Sequence, residues 1–154
     1  MSFTQNTRVA SVTSPLGPDV LLFYRMTGSE QLSRLFEYQI DLLSEKNDLD
    51  MKKVLGKGMT VKLEVGEDQY RYFNGIVTRF TQLGSQGGLV CYQAILQPKP
   101  WLLTRASNCR IMETGKTVPE IVQTILGDHG YSDIELHLGS SHTYPPREYC
   151  VQYR

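Results

Sequence analysis

The residues able to do chemistry are few and scattered. His129, His137 and His142, together with Cys150, carry the nitrogen and sulfur atoms that hold zinc in other proteins. No two of these histidines have the i, i+4 spacing that places both on one helix face, and a glycine-serine stretch separates His137 from His142. They read as surface histidines. Thr114-Gly115-Lys116-Thr117 has the form of the end of a phosphate-binding loop, and it leads into a helical pattern. Such a loop needs a second glycine five positions before Gly115, so that backbone N–H groups wrap the phosphates. Arg110 stands there, and nucleotide binding is not expected.

Asp48-Leu49-Asp50 hints at an oxygen-ligand metal loop, but Lys52 occupies the place of the third ligand. Acids at the start of a helix, favoured by the positive end of its dipole, explain the pair better. No serine lies in a G-x-S-x-G elbow. Gly84 to Gly88 lacks dinucleotide-loop spacing and sits between two strand patterns. No pair of carboxylates stands out. The expectation is a non-enzymatic chain with no cofactor and no metal site.

Net charge is zero, with 16 Lys and Arg against 16 Asp and Glu. Nucleic-acid binding needs a basic surplus for the phosphates and is not expected. No apolar run reaches the roughly 20 residues that span a bilayer, and the N-terminus has no apolar signal-peptide core. The chain therefore reads as made in the cytoplasm. Cys91, Cys109 and Cys150 are odd in number and form no C-x-x-C pair, so reduced thiols are preferred over a disulfide.

The elements around these residues are mainly β. Tyr70 to Phe80, Y-R-Y-F-N-G-I-V-T-R-F, is rich in aromatic and β-branched residues and organises the first half of the chain. Strict alternation puts Tyr72, Ile76 and Phe80 on one face and Phe73 and Val77 on the other. Two partly apolar faces suit a barrel or sandwich. Gly75 inside the strand marks a bulge, a bend or a close backbone approach.

Shorter strands are expected over Val9–Val12, Val20–Met26, Phe36–Leu43, Val61–Val65 and Leu89–Gln97, the last two forming a three-stranded meander with the organising strand. Gly28 to Arg34 reads as loop. In Phe36–Leu43 the residues Phe36, Tyr38, Ile40 and Leu42 alternate with Glu37, Gln39 and Asp41 on a wet face. Gly84 to Gly88 is the expected turn after Phe80. A short helix is expected over Asp48–Leu55, with Asp48 as N-cap and Met51, Val54 and Leu55 as its apolar stripe.

The pattern changes at Pro98. Pro100 to Ala106 is expected to be a short helix that plugs Trp101, Leu102 and Leu103 into the end of the sheet. A second helix is expected over Val118–Leu126, opened by a Thr117/Glu120 capping box and stopped by Gly127. Ile134, Leu136 and Leu138 then alternate as a strand, and Tyr149, Val151 and Tyr153 begin another. Residues 1–106 are read as a β-barrel-like domain and 107–154 as a helix-containing connection into a following region. The strand pattern is still running at Arg154, which reads as a fragment of a longer protein.

Several segments together resemble the N-terminal, phage tail hub-like part of the VgrG spike proteins of type VI secretion systems. They are S-P-L-G-P-D-V-L (14–21), G-S-E-Q-L-S-R-L-F-E-Y (28–38), R-Y-F-N-G-I-V-T-R-F (71–80), P-W-L-L-T-R-A-S-N-C-R-I (100–111), K-T-V-P-E-I (116–121) and C-V-Q-Y-R (150–154). The family more often has phenylalanine where Met112 stands.

The resemblance implies an antiparallel β-barrel-like hub domain with two or three short helices. It implies a homotrimeric structural part whose ring docks on the hexameric tail-tube protein Hcp. Baseplate components are further implied partners, with effectors or a PAAR tip carried through a C-terminal part. The assembly would be propelled out by sheath contraction without a cleaved signal peptide and without membrane insertion by this domain. The rival readings are the baseplate hub of a contractile phage or phage-tail-like bacteriocin and, from a different class, a small ligand- or effector-binding β-barrel. Trp101, Gly75, Phe73, Phe80, Thr117 and Glu120 are the expected structural residues.

Overall fold

The computed structural model describes residues 3–153. They divide into two compact units, the first running to Trp101 and the second starting at Leu102. The first unit is an antiparallel sheet of six strands: β1 (Ala10–Thr13), β2 (Leu22–Ser29), β3 (Glu37–Ser44), β4 (Gly58–Gly66), β5 (Gln69–Gln86) and β6 (Leu89–Gln97), in the order β1-β4-β5-β6-β3-β2. The sheet curls into a half-barrel. Its concave side packs Val12, Tyr38, Ile40, Leu42, Met59, Val61, Phe73, Val77, Tyr92, Ala94 and Leu96 into one cluster. The alternation of Tyr38, Ile40 and Leu42 thus points inward as expected, and β4, β5 and β6 form the expected meander.

β5 is 18 residues long and does not keep one parity. Val77 pairs with Leu96 but Arg79 pairs with Ile95, so Thr78 is the extra residue of a bulge. A bulge moves every later side chain to the opposite face. Phe80 therefore joins Phe73 and Val77 against the core rather than sharing a face with Tyr72, and it stacks on Tyr92 with ring centroids 5.4 Å apart. Tyr72 is exposed. A second register shift between Gln82 and Ser85 keeps β5 in its ladder through Gln86. The turn is accordingly only Gly87-Gly88, both at positive φ (59° and 82°), the geometry of a tight two-residue hairpin.

Other expectations are corrected. β2 runs on to Ser29, because Gly28 and Ser29 pair with Tyr38 and Glu37. Gly28 lies beneath the Tyr38 ring, where an added Cβ would come within 2.5 Å of Cδ1. The Asp48–Leu55 helix reduces to a single 3-10 turn, Met51–Lys53, capped by Asp50, whose carboxylate accepts the Lys52 N–H at 3.1 Å. Of its apolar stripe only Val54 is buried, while Met51 and Leu55 face solvent. Lys99–Arg105 is a 3-10 helix in which Trp101 and Leu103 are half-buried and Leu102 is exposed.

In the second unit, β7 (Cys109–Ile111) pairs antiparallel with β8 (Val151–Tyr153), and α1 covers Val118–Asp128. The helix passes through Gly127 instead of stopping there, and the positive φ falls at Gly130. Ile134 to Leu138 forms no strand; Leu136 and Leu138 are exposed and find no ladder partner among the described residues. Arg110 joins the two elements, donating to Gln152 Oε1 at 3.1 Å and to the carboxylate of Asp128 at the end of α1. Its charge offsets an acid that is unfavourable at a helix C-terminus.

Candidate functional site

The six-stranded sheet leaves two features open, its seam and one of its edges. β1 and β2 end the strand order and share no ladder. A side chain bridges them instead. Gln5, only 6% exposed, accepts the Val12 N–H at 3.0 Å and the Phe23 N–H at 2.8 Å on Oε1. Its Nε2 donates to the carbonyls of Leu21 (3.1 Å) and Val12 (3.3 Å). One primary amide thus satisfies four backbone groups that a neighbouring strand would otherwise have to satisfy. The Gln5 N–H is held in turn by the Asp19 carboxylate at 3.0 Å, which draws the Asp19 pKa below its ordinary value.

At the other end of β2 a second clasp closes the half-barrel. The Glu30 carboxylate accepts the Tyr38 hydroxyl on one oxygen and Arg71 Nη2, at 3.0 Å, on the other. Arg71 also lies over the Phe73 ring, 4.6 Å from its centroid, and Phe73 meets Tyr38 edge-on. Phe73 is therefore the point where β3 and β5 meet across the concave side.

Burial pushes the Tyr38 hydroxyl up to about 12, helped by the anionic acceptor, while the same bond holds Glu30 below the usual carboxylate range. A free tyrosine ionises near pH 10. The unfolded chain thus ionises at a lower pH than the folded one. Tyr38 contributes stability in full below about pH 10 and loses it as pH rises towards about 12. Unfolding measured against pH should show this alkaline loss in the wild type. The Tyr38→Phe variant should show less of it.

The convex side of β2, β3 and β6 carries a polar ladder. Arg25 grips Asp41 through Nε (3.0 Å) and Nη2 (2.7 Å), and Gln93 donates to the other Asp41 oxygen at 2.9 Å. Gln97 does the same for Glu37 at 2.9 Å. Burial raises the Asp41 carboxyl, but the bonds from Gln93 and Arg25 outweigh it and leave its pKa lowered. The wet face of Phe36–Leu43 is therefore tied into neighbouring strands and not merely solvated.

The open edge belongs to β5. Its pairing with β4 ends at Gly58↔Ile76, and Val77 exchanges bonds with Gly56 (2.8 Å) and Lys57 (2.9 Å). From Thr78 to Gln86, β6 lies on one side and no strand lies on the other among the described residues. This stretch contains one charge, Arg79, and an exposed Leu83. Proteins blunt lone strand edges with lysine, proline or bulges, since unpaired N–H and C=O groups invite another strand.

The residues expected to matter from sequence are placed as follows. At Gly75 the backbone of β6 leaves no room for a side chain on β5, since a Cβ there would lie 2.9 Å from the Gln97 carbonyl oxygen and 3.1 Å from Leu96 Cβ. Its φ is not positive and no bulge falls on it. Phe73 and Phe80 join the concave cluster, and Trp101 is half-buried. Thr117 and Glu120 meet at the start of α1, the Glu120 carboxylate accepting both the Thr117 N–H and its hydroxyl at 2.7 Å. Lys116 of the phosphate-loop look-alike is paired with Glu113 at 3.0 Å.

The three histidines take three separate neighbours: the Ile125 carbonyl for His129, Glu135 for His137 and Tyr144 for His142. Among the described residues no three His, Cys, Asp or Glu converge. No helix among them is long and apolar enough to cross a membrane. Gln5 was missed from sequence, since a lone glutamine before the first strand breaks no pattern.

Comparison with known proteins agrees with this architecture. Residues 29–154 match the family model described as phage tail baseplate hub (GPD). The chain is 47% identical over 150 residues to the type VI secretion system spike protein VgrG1a of Pseudomonas aeruginosa, covering 97% of this chain and 23% of that protein. It is 46% identical over 154 residues to VgrG1c of the same organism, covering all of this chain and 21% of that protein. The chain thus spans less than a quarter of the length of these relatives. Among solved structures, the E. coli c3393 protein aligns with a TM-score of 0.67 at 27% identity, over 96% of this chain and 38% of the other. That protein is described as a component of the type VI secretion system with structural similarity to the T4 bacteriophage tail proteins gp27 and gp5.

Proposed function

The chain belongs to the phage tail baseplate hub family, and we propose that it forms the first part of the ring-shaped base of a type VI secretion spike. The ring is a homotrimer of the complete gene product. It docks on the hexameric tube protein, and sheath contraction drives it out of the cytoplasm into a target cell with effectors or a tip attached further along. The role is mechanical, without catalysis by this domain, which corresponds to residues 1–106 leading into the next region at 107–154.

The observation that carries this reading is the half-barrel with an unpaired strand edge at Thr78–Gln86. An unpaired strand edge is a surface that a neighbouring copy can satisfy, and head-to-tail contacts of that kind form a ring where the rotation between copies closes. The curated relatives named above are secretion spikes, which supports the secretion reading over a phage or bacteriocin hub.

The experiment is to place a charge on the edge. Leu83→Lys in the complete gene product should lower the trimer fraction in sedimentation while leaving the circular dichroism of the half-barrel unchanged, since Leu83 is exposed. A folded variant that trimerises as the wild type does would remove the edge from the account.

A further inference from the structure

The second unit keeps little of its apolar surface inside. Among its described residues only Met112 and Ile121 are buried apolar side chains. Its ribbon of β7 and β8 has two unlike faces, since successive strand residues point to opposite sides and directly paired residues share a side. One face carries Arg110 and Gln152, paired across the strands and hydrogen-bonded to each other. From that face Arg110 also reaches Asp128 at the end of α1. The other face carries the pairs Cys109↔Tyr153 and Ile111↔Val151. All four of its residues are exposed, Tyr153 at 81%, Ile111 at 67% and Val151 at 43%. Neither outer edge of the ribbon pairs with a further strand among the described residues.

We propose that this face is the docking surface for the chain that follows residue 154 in the complete gene product, which lays apolar side chains over Ile111, Val151 and Tyr153 and shuts Cys109 away from water. The proposal rests on the reading of residues 107–154 as leading into a following region. A two-stranded ribbon is marginal in water until its apolar face is packed. A cover that the ribbon needs in order to persist is a permanent one. More of the same chain supplies it, since the matched part is less than a quarter of the length of the curated relatives. A second copy gains too little from this face alone. Stable interfaces use roughly 20–30 residues and about 800 Å² on each side, whereas the face presents four side chains. Packing within one chain works with so small a patch, because no free partner has to be captured and immobilised.

Cys109 lies on the face and reports on it directly. The complete gene product is treated with iodoacetamide, native and in urea, and alkylation is followed on the peptide that holds Cys109. In the native product Cys109 should react at least about tenfold more slowly than in urea, because a covered thiol reacts only through local opening. A native rate close to the rate in urea would overturn the proposal. Protection that disappears when the product is diluted to monomers would overturn it too, and would assign the cover to a second copy.

Val151→Asn supplies the second arm. A polar side chain placed under the cover should speed the alkylation of Cys109 in the native product several-fold, while hydrogen exchange in the β3–β6 ladder stays as in the wild type. A folded variant whose Cys109 reacts as slowly as that of the wild type would remove Val151 from the covered face. Should Val151→Asn fail to fold, the wild-type rates alone decide. The readout is independent of export. A secreted product with a reactive Cys109 contradicts this proposal alone, whereas a protected Cys109 in a product that is never exported leaves it standing while the secretion reading falls.

Discussion

Replacing Gly75 by alanine is expected to destabilise the half-barrel, and by valine to destabilise it further. A glycine-to-alanine change at an ordinary strand position gains about 0.4–1 kcal/mol by restricting the unfolded chain. Here the new Cβ would sit 2.9 Å from the Gln97 carbonyl oxygen, 3.2 Å from the Gln97 nitrogen and 3.1 Å from Leu96 Cβ. Two of these neighbours are backbone, and Leu96 is fully buried, so none can swing away cheaply. Overpacking of this kind costs about 1–3 kcal/mol, occasionally more. Valine adds two methyl groups in the same space and belongs at the upper end. Chemical denaturation of the three proteins measures the series directly. An alanine variant as stable as the wild type would mean that the close approach at Gly75 is relaxed in solution.

The second large effect is expected at Tyr92. Its ring is fully buried, stacks on Phe80 and sits at the centre of the concave cluster, while its hydroxyl donates to the Lys46 carbonyl at 3.0 Å. Truncation to alanine removes the ring and leaves a cavity, with an expected loss of about 3–5 kcal/mol. Tyr92→Phe keeps the ring and deletes only the hydroxyl, with an expected loss of about 1 kcal/mol from the bond to Lys46. The pair of variants separates packing from hydrogen bonding. Near-equal losses would place most of the effect on the hydroxyl and contradict the stacked core. Phe80→Ala tests the same stack from the other side, and its effect should not add fully to that of Tyr92→Ala, because the two rings share one contact.

How far the sequence could be read depended on what each element uses to declare itself. Leu89–Gln97 was legible to the residue, since its alternation is unbroken and turn glycines precede it. The alternation of Tyr38, Ile40 and Leu42 fixed the inward face of β3. β5 was legible as a strand but not in its length or its faces. Gly84-Ser85-Gln86 has turn composition, yet the pairing with β6 holds it extended to the two glycines that follow.

The bulge at Thr78 leaves no mark in composition. Strict parity therefore misplaced Phe80, a consequence of the period of two that makes any inserted residue flip all that follows. Met51, Val54 and Leu55 have helical spacing, but a single turn closed after Asp50 satisfies only Val54. Ile134, Leu136 and Leu138 have strand spacing but no partner strand among the described residues, and alternation alone does not make a ladder.

Of the interaction features, the wet face of β3 was visible as charge, but its ties to Arg25, Gln93 and Gln97 come from pairings across distant segments. The clasp at Glu30 joins residues 8 and 41 positions apart, and the amide bridge at Gln5 joins residues up to 18 apart. None of these spacings is a motif.

The most direct measurement of the functional account follows the complete gene product in its host, with and without a working contractile sheath, and assays the culture supernatant. A contraction-driven spike should appear outside the cell only when the sheath works, alongside the tube protein. If the product stays inside both strains while the tube protein is exported normally, the secretion reading is contradicted, and a hub for another contractile tail takes its place.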